Sequence, residues 1–130
     1  MAIVKVTKEM AERAVAEIDW DKVDAMTDAD IERQIAENPD AAPDMAARAA
    51  QRVWQSDRPL AERLAGARKA LGLSRPQFAE AYGIPFRTLE GWEQGLRQPD
   101  RGTTAYLATI FAMPHRVAET VAIETRRRAS

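Results

Sequence analysis

Residues 74–95 read SRPQFAEAYGIPFRTLEGWEQG. Ser74 followed by Gln77 three positions later is a capping box, which predicts the first turn of a helix. Gly83 ends that helix after a few residues, because glycine adopts the left-handed conformation at little cost. A second short helix follows and ends at Gly95. Two very short helices joined by a turn that contains glycine have the outline of a helix-turn-helix.

The sequence around this stretch predicts three more helices. Apolar residues at helical spacing predict a helix that ends at Gly72, and they are Leu60, Leu64, Ala67 and Leu71. Pro99 and Asp100 mark the start of another helix, and a last one runs from His115 to about Arg127. We therefore expect an all-α, five-helix domain over residues 58–130.

Length and composition bound the possible functions. The chain has 130 residues, of which 45% are hydrophobic and 30% charged, which suffices for one core. It has no cysteine and one histidine, His115, so disulfide scaffolds, thiolate chemistry and zinc fingers are excluded. The aspartates of 19–30 lack the histidine or phosphate-binding glycines of a metal nuclease. We expect no enzyme activity, no catalytic residue, no metal and no cofactor.

No stretch predicts a membrane-spanning segment. The longest run without Asp, Glu, Lys or Arg in the C-terminal half, 102–115, is well below the roughly 20 residues that a bilayer requires. No signal peptide is visible. We expect a soluble, cytoplasmic protein without a membrane partner.

The two parts of the chain carry opposite charge. Residues 1–57 contain 7 basic and 13 acidic residues, a net charge of −6, whereas 58–130 contain 12 and 7, a net charge of +5. Such asymmetry is typical of a basic part that meets a polyanion and an acidic part that meets a basic partner. Solvated helix faces that happen to segregate are the alternative interpretation.

The acidic part, residues 1–57, predicts an N-terminal arm that is partly flexible, because few apolar side chains offset the entropy of ordering it. Residues 2–7 alternate and favour a possible short strand, and 8–18 have the spacing of a short amphipathic helix. Thr27 begins a capping arrangement before another brief helix, and Pro43 opens the next.

Residues 58–115 resemble a known family. The Cro/lambda-repressor type of helix-turn-helix, also called the XRE family, is matched by Arg68, Gly72-Leu73-Ser74, Phe78-Ala79, Gly83, Thr88-Leu89 and Trp92-Glu93-Gln94-Gly95. The run 87–100, RTLEGWEQGLRQPD, looks especially like the HigA and MqsA antitoxin branch. The resemblance implies a salt bridge between Arg68 and Glu93. It also implies a homodimer that binds an inverted-repeat operator in double-stranded DNA, with recognition helices about 34 Å apart.

The resemblance further implies which residues contact DNA. Arg75 stands where the family has a glutamine that holds a phosphate at a helix N-terminus. Arg87 lies where the family reads base edges, and arginine can bond to guanine O6 and N7 together. Phe86 is placed for a thymine methyl group, and Glu90, which phosphates would repel, for cytosine N4. The remaining predicted contacts, mostly to the phosphate backbone, are Gln77, Thr88, Gln94, Arg97 and Arg101. For each exposed arginine, a solvated surface charge is the alternative.

In antitoxins of this branch a separate segment neutralises a small, basic ribonuclease toxin. We therefore expect a toxin-binding element within residues 1–57, with Trp20, Ile31 and Ile35 as apolar anchors among carboxylates. The alternative is that Trp20 packs on the protein's own helices. Val117 and Val121 of the last helix form either a dimer contact or part of the monomer core.

The expected function is that of a sequence-specific transcriptional repressor and antitoxin of a type II toxin–antitoxin pair. It would regulate its own operon and neutralise the toxin. The alternative is a stand-alone XRE-type regulator whose N-terminal arm binds a ligand or another protein.

Overall fold

The computed structural model describes residues 19–37 and 43–129, and this part of the chain folds entirely into helices and connections. The helices are α1 (Trp20–Ala25), α2 (Asp28–Glu37), α3 (Pro43–Trp54), α4 (Leu60–Ala70), α5 (Arg75–Tyr82), α6 (Phe86–Glu93), α7 (Arg101–Ala112) and α8 (Pro114–Ala129). The prediction of an all-α protein is confirmed over these ranges. The strand expected at 2–7 and the helix expected at 8–18 lie outside the described residues. No helix in the described ranges combines the length and the apolar character needed to cross a bilayer.

Local sequence signals set the ends of the central helices. Ser74 Oγ accepts a hydrogen bond from the backbone N–H of Gln77 (3.3 Å), and Gln77 Oε1 accepts one from the N–H of Ser74 (2.9 Å). This is the predicted capping box at the start of α5. The predicted left-handed glycines end α4 and α5, with φ of 75° at Gly72 and 66° at Gly83.

A second capping box starts α2. The N–H of Asp30 donates to Thr27 Oγ1 (3.1 Å), and the N–H of Thr27 donates to Asp30 Oδ2 (3.0 Å). The hydrogen bond from the N–H of Thr27 lowers the pKa of the Asp30 carboxyl, because it stabilises the charged form. The box places the side chain of Asp28 at the beginning of α2.

The core draws on helices from both sides of the boundary predicted at 57/58. Trp54 of α3 packs on Phe111 of α7, with ring centroids 5.2 Å apart, and Phe111 stacks on Phe78 of α5 at 5.8 Å. Ala50 and Val53, also from α3, are buried in the same cluster. The acidic part of the sequence therefore contributes a helix to the core, because one face of α3 is apolar.

Helix α8 closes the core beside α5. Val117 is buried in the core and Val121 packs against it. A Cβ atom added at Gly83 would lie 3.5 Å from Val121 Cγ1, so α8 runs close to the turn after α5. Both valines therefore pack within the monomer core, which was the second of the two roles predicted for them.

Candidate nucleic-acid interface

Helices α5 and α6 are joined by a turn of three residues, Gly83-Ile84-Pro85. The left-handed backbone of Gly83 lets the N–H of Ile84 return to the carbonyl of Ala79 (2.9 Å). Leu89 and Trp92 bury one face of α6, with Leu89 fully buried and Trp92 7% exposed. Trp92 is therefore a core residue, and the opposite face of α6 faces outward.

A buried ion pair fixes α6 to α4. Arg68 Nε donates to Glu93 Oε2 (2.7 Å) and Arg68 Nη2 donates to Glu93 Oε1 (2.8 Å). Arg68 Nη1 also donates to the carbonyl of Leu73 (2.8 Å). The salt bridge that the family resemblance implied is confirmed. Because the pairing uses both oxygens of Glu93, it fixes the orientation of the end of α6.

The outward face of α6 carries Phe86 and Arg87, which are both exposed. Arg87 makes no ion pair with any described residue. Thr88 is half-buried beside them. This face therefore presents one unpaired guanidinium and one aromatic ring to the solvent.

Arg97 lies across α6 at Gly91. A Cβ atom added at Gly91 would be 3.5 Å from Arg97 Cδ and 3.6 Å from Arg97 Cγ. The N–H groups of Leu96 and Arg97 both donate to the carbonyl of Gly91, at 2.9 and 3.3 Å. The aliphatic part of Arg97 thus packs against α6 at Gly91, although Arg97 as a whole is exposed. The sequence gives no signal of this contact beyond the glycine itself.

Two further predicted contacts lie near the starts and ends of helices. Gln94 follows α6 and is exposed, and Arg101 is the first residue of α7 and is exposed as well. Asp100 caps α7, with its Oδ1 accepting from the N–H of Thr103 (2.7 Å). That backbone hydrogen bond lowers the pKa of Asp100.

Arg75 is surrounded by carboxylates. Its Nε lies 3.7 Å from Glu93 Oε1 and 3.9 Å from Asp28 Oδ2, and its Nη1 lies 3.9 Å from Glu90 Oε2. The side chain is 36% exposed and lies among these carboxylates, so it is not an isolated surface cation. Glu90 thus has a neighbour within the protein, and Gln77 is engaged in the capping box.

Asp28 is the residue that the sequence analysis missed. Its Oδ1 accepts from the backbone N–H of Arg75 (3.2 Å) and from Arg68 Nη1 (3.3 Å). It therefore joins α2 to the beginning of α5. The capping arrangement at Thr27 predicted the helix but not what its first residue would meet.

The predicted partner anchors have different surroundings. Ile31 is fully buried. Trp20 packs against the core, and its Cζ3 lies 3.2 Å from the position of a Cβ atom on Gly66. Trp20 therefore packs on the protein's own helices, as the alternative interpretation of this residue predicted. Ile35 belongs to α2, but its side chain lies outside the described residues.

Two cations of the basic part hold α1. The guanidinium of Arg58 lies over the ring of Trp20, 4.7 Å from its centroid. Lys69 Nζ donates to the carbonyl of Val23 (2.7 Å), and burial lowers the pKa of Lys69. The segment of α1 and α2, residues 20–37, is thus attached to α4 and α5 by several different contacts.

No protein-family model matches this chain, and no curated protein or solved structure matches it.

Proposed function

We propose that this chain is a sequence-specific, double-stranded DNA-binding transcriptional repressor. In this proposal α5 and α6 form a helix-turn-helix of the XRE type, within a five-helix unit of α4 to α8, and α6 enters the major groove. The observation that carries it is the division of α6 into two faces. Leu89 and Trp92 pack into the core and Glu93 pairs with Arg68, while Arg87 is exposed and makes no ion pair with a described residue. A helix supported on one side, with an unpaired arginine on the other, suits base recognition.

The proposed base contacts come from the beginning of α6. Arg87 would bond to O6 and N7 of a guanine, and Phe86 would contact a thymine methyl group. Glu90, if it leaves Arg75, would accept from cytosine N4. The exposed residues around the helix would bind phosphates and fix its register, and they are Thr88, Gln94, Arg97 and Arg101.

The protein would act as a twofold dimer on an inverted repeat in the cytoplasm. Recognition helices of two copies would then enter successive major grooves of the operator. Val117 and Val121 pack within the monomer, so they do not identify the contact between the copies.

The antitoxin role rests on the resemblance of residues 87–100 to the HigA and MqsA branch. A basic ribonuclease toxin would be attracted by the acidic surface of α1 and α2, where Asp21, Asp24 and Glu32 are exposed. Electrostatic attraction of this kind favours rapid association and specificity. In this role the protein would repress its own operon and neutralise the toxin.

One observation favours the second candidate, a stand-alone XRE-type regulator. Trp20 and Ile31, the expected apolar anchors, are engaged in the protein's own packing. A toxin that needed them would first have to detach α1 and α2. A regulator whose N-terminal helices serve only the fold would have no such requirement.

The DNA-binding proposal is tested by selecting bound duplexes from a random library and measuring affinities for the selected and a scrambled sequence. Arg87→Ala should reduce the preference for the selected duplex by about tenfold or more, because a bidentate guanine contact contributes roughly 1–3 kcal/mol of discrimination. Arg116→Ala, which removes an exposed arginine of α8, is the matched control. Equal losses on both duplexes from Arg87→Ala would reject its role in base reading.

The antitoxin role is tested by expressing the tagged protein from its native operon. After nuclease treatment, mass spectrometry identifies what remains bound. A stoichiometric small basic protein supports the antitoxin. Recovery of the repressor alone, still able to bind its promoter, favours the stand-alone regulator. With a toxin in hand, Asp21→Asn, which removes an exposed carboxylate of the proposed toxin-binding surface, should weaken toxin binding without lowering DNA affinity.

A further inference from the structure

The carboxylate of Asp28 lies at the first turn of α5, where the proposed function expects a DNA phosphate. Its Oδ1 is 3.2 Å from the backbone nitrogen of Arg75, and its Oδ2 is 3.9 Å from Arg75 Nε. A phosphate bound to a helix N-terminus uses the same two kinds of donor, the backbone N–H and a nearby guanidinium. An anion of the protein itself thus stands where the anion of the ligand is expected.

The donors at this end of α5 leave room for one anion only. Pro76 has no N–H, and the N–H groups of Gln77 and Phe78 donate to the side chain and the carbonyl of Ser74. The N–H of Ser74 itself donates to Gln77 Oε1. The N–H of Arg75 is therefore the one donor of this turn that remains for an outside acceptor, and Asp28 occupies it.

Nearby carboxylates attract the side chain of Arg75, but they do not accept hydrogen bonds from its guanidinium. Its three carboxylate neighbours lie at 3.7 to 3.9 Å, beyond hydrogen-bond length. Its Nε is buried and has no hydrogen-bond partner among the described residues. A phosphate oxygen could supply the missing acceptor, but only after Asp28 moves away.

The position of Asp28 does not depend on Arg75 alone. The capping box of Thr27 and Asp30 starts α2, and Trp20 attaches α1 to Gly66 of α4 and to Arg58, which precedes that helix. These contacts place the carboxylate at α5 without any contribution from the DNA face. The bond from Arg68 Nη1 adds a further hold on the same oxygen.

We infer that residues 20–37 form an autoinhibitory segment, in which Asp28 competes with a DNA phosphate for Arg75 and the N-terminus of α5. The inference rests on the proposed function, since it concerns regulation of the same interface. DNA binding then requires α2 to withdraw from α5, and the affinity of the free protein is lower than its DNA face alone would provide.

The test compares two charge-removing variants of the full chain. Asp28→Asn keeps an oxygen that can accept from the N–H of Arg75 but removes the competing charge. Glu32→Gln removes the same charge from an exposed position of α2 that makes no ion pair with a described residue. Affinity for a random-sequence duplex is measured by fluorescence anisotropy at several salt concentrations. Asp28→Asn should bind roughly threefold to tenfold more tightly than Glu32→Gln, with a log–log salt slope steeper by about 0.9, because Arg75 gains a phosphate.

A double-mutant cycle shows whether the effect acts through Arg75. Introducing Asp28→Asn into an Arg75→Ala protein should give a smaller gain in affinity than in the unchanged background, because only the competition at the backbone N–H of residue 75 remains. Circular dichroism melting of each variant verifies that it is folded at the assay temperature. If folding of Asp28→Asn were lost, Asp28→Ser would replace it, since its hydroxyl oxygen can still accept a hydrogen bond while the competing charge is removed. Its affinity should then exceed that of the unchanged protein.

The outcomes separate the inference from the proposed function. Equal effects of Asp28→Asn and Glu32→Gln, or a gain that is undiminished without the Arg75 side chain, overturn the autoinhibitory role while DNA binding stands. If neither the unchanged protein nor any variant binds a duplex from the random library, both the proposed function and the inference are overturned.

Discussion

Arg68 and Glu93 form two parallel hydrogen bonds, of 2.7 and 2.8 Å, between the middle of the domain and the end of α6. Their side chains are 1% and 6% exposed, so neither charge is solvated. The two residues are 25 positions apart, and the pair connects α4 to the last residue of α6. The orientation of α6 thus depends on a charge contact that neither residue could make alone.

Removing one member of this pair should destabilise the protein strongly. Arg68→Met leaves the Glu93 carboxylate buried without its guanidinium, and breaking a buried pair in this way costs about 3–5 kcal/mol. Chemical denaturation measures the change in free energy of unfolding. Arg127→Met is the control, because its pair with Glu124 is exposed and should contribute less than about 1 kcal/mol. Comparable losses from the two variants would contradict the structural role of Arg68.

Gly83→Ala should lower the free energy of unfolding by about 1–2 kcal/mol. The cause is the backbone, since φ is +66° and the added Cβ would meet Val121 at an ordinary 3.5 Å. Gly102→Ala is the matched control in α7, where the added Cβ would meet only Asp100 Oδ1 at 3.7 Å. That variant should be neutral or stabilise by about 0.5 kcal/mol. Thermal and urea denaturation of the two variants checks the difference in sign.

Alkaline pH should destabilise the fold through Tyr82. Burial raises the pKa of Tyr82 to about 12 from its ordinary value of 10.0, with a smaller contribution from Tyr106. Because the folded state has the higher pKa, the stabilisation is complete below pH 10 and is lost as the pH rises through about 12. Urea denaturation between pH 8 and pH 12 should therefore show a falling free energy of unfolding.

Tyr82→Phe separates this effect from other titrations. The variant loses the hydrogen bond from the Tyr82 hydroxyl to the carbonyl of Pro114 (3.1 Å), which lowers stability at pH 8 by about 1 kcal/mol. Its stability should then fall less steeply above pH 10. Tyr106→Phe should retain most of the alkaline fall. An unchanged slope in Tyr82→Phe would assign the effect to another group.

Arg97→Ala should weaken binding to selected and random duplexes by the same factor. The expected cause is the loss of one phosphate contact, which makes the log–log salt slope shallower by about 0.9. Gly91→Leu should reproduce this loss, because a large side chain would displace the aliphatic part of Arg97 from α6. Gly91→Ala should not, since its Cβ would lie at 3.5 Å from Arg97 Cδ. A change of sequence preference in Arg97→Ala would instead make Arg97 a base-reading residue.

Short-range signals in the sequence predicted the helices well. The capping boxes at Ser74 and Thr27 and the left-handed glycines at Gly72 and Gly83 involve groups within a few positions of each other. Their geometry depends on residue type and spacing alone, so it could be predicted without knowledge of the fold. The Arg68–Glu93 pair was predictable only through the family resemblance.

Long-range contacts escaped prediction. The bond between Asp28 and the N–H of Arg75 joins residues 47 positions apart. It depends on how α1 and α2 pack against α4. The charges in the sequence indicate that the two parts attract each other, but not which residues meet. The acidic composition that predicted a flexible arm also supplies the carboxylate that attaches this segment to α5. Ile31 was expected at a partner surface, but it is buried within the protein. The sequence shows that its side chain is apolar but not which neighbour buries it.

The packing of Trp54 on Phe111 has a consequence for how the protein can be dissected. A fragment that began at Arg58 would lack Val53 and Trp54 and would expose the hollow that they fill between α4 and α7. Such a fragment would lose activity through unfolding rather than through the removal of a functional element. Deletion mapping across residue 57 would therefore give misleading assignments of role, whereas single-residue exchanges on the intact chain keep this hollow occupied.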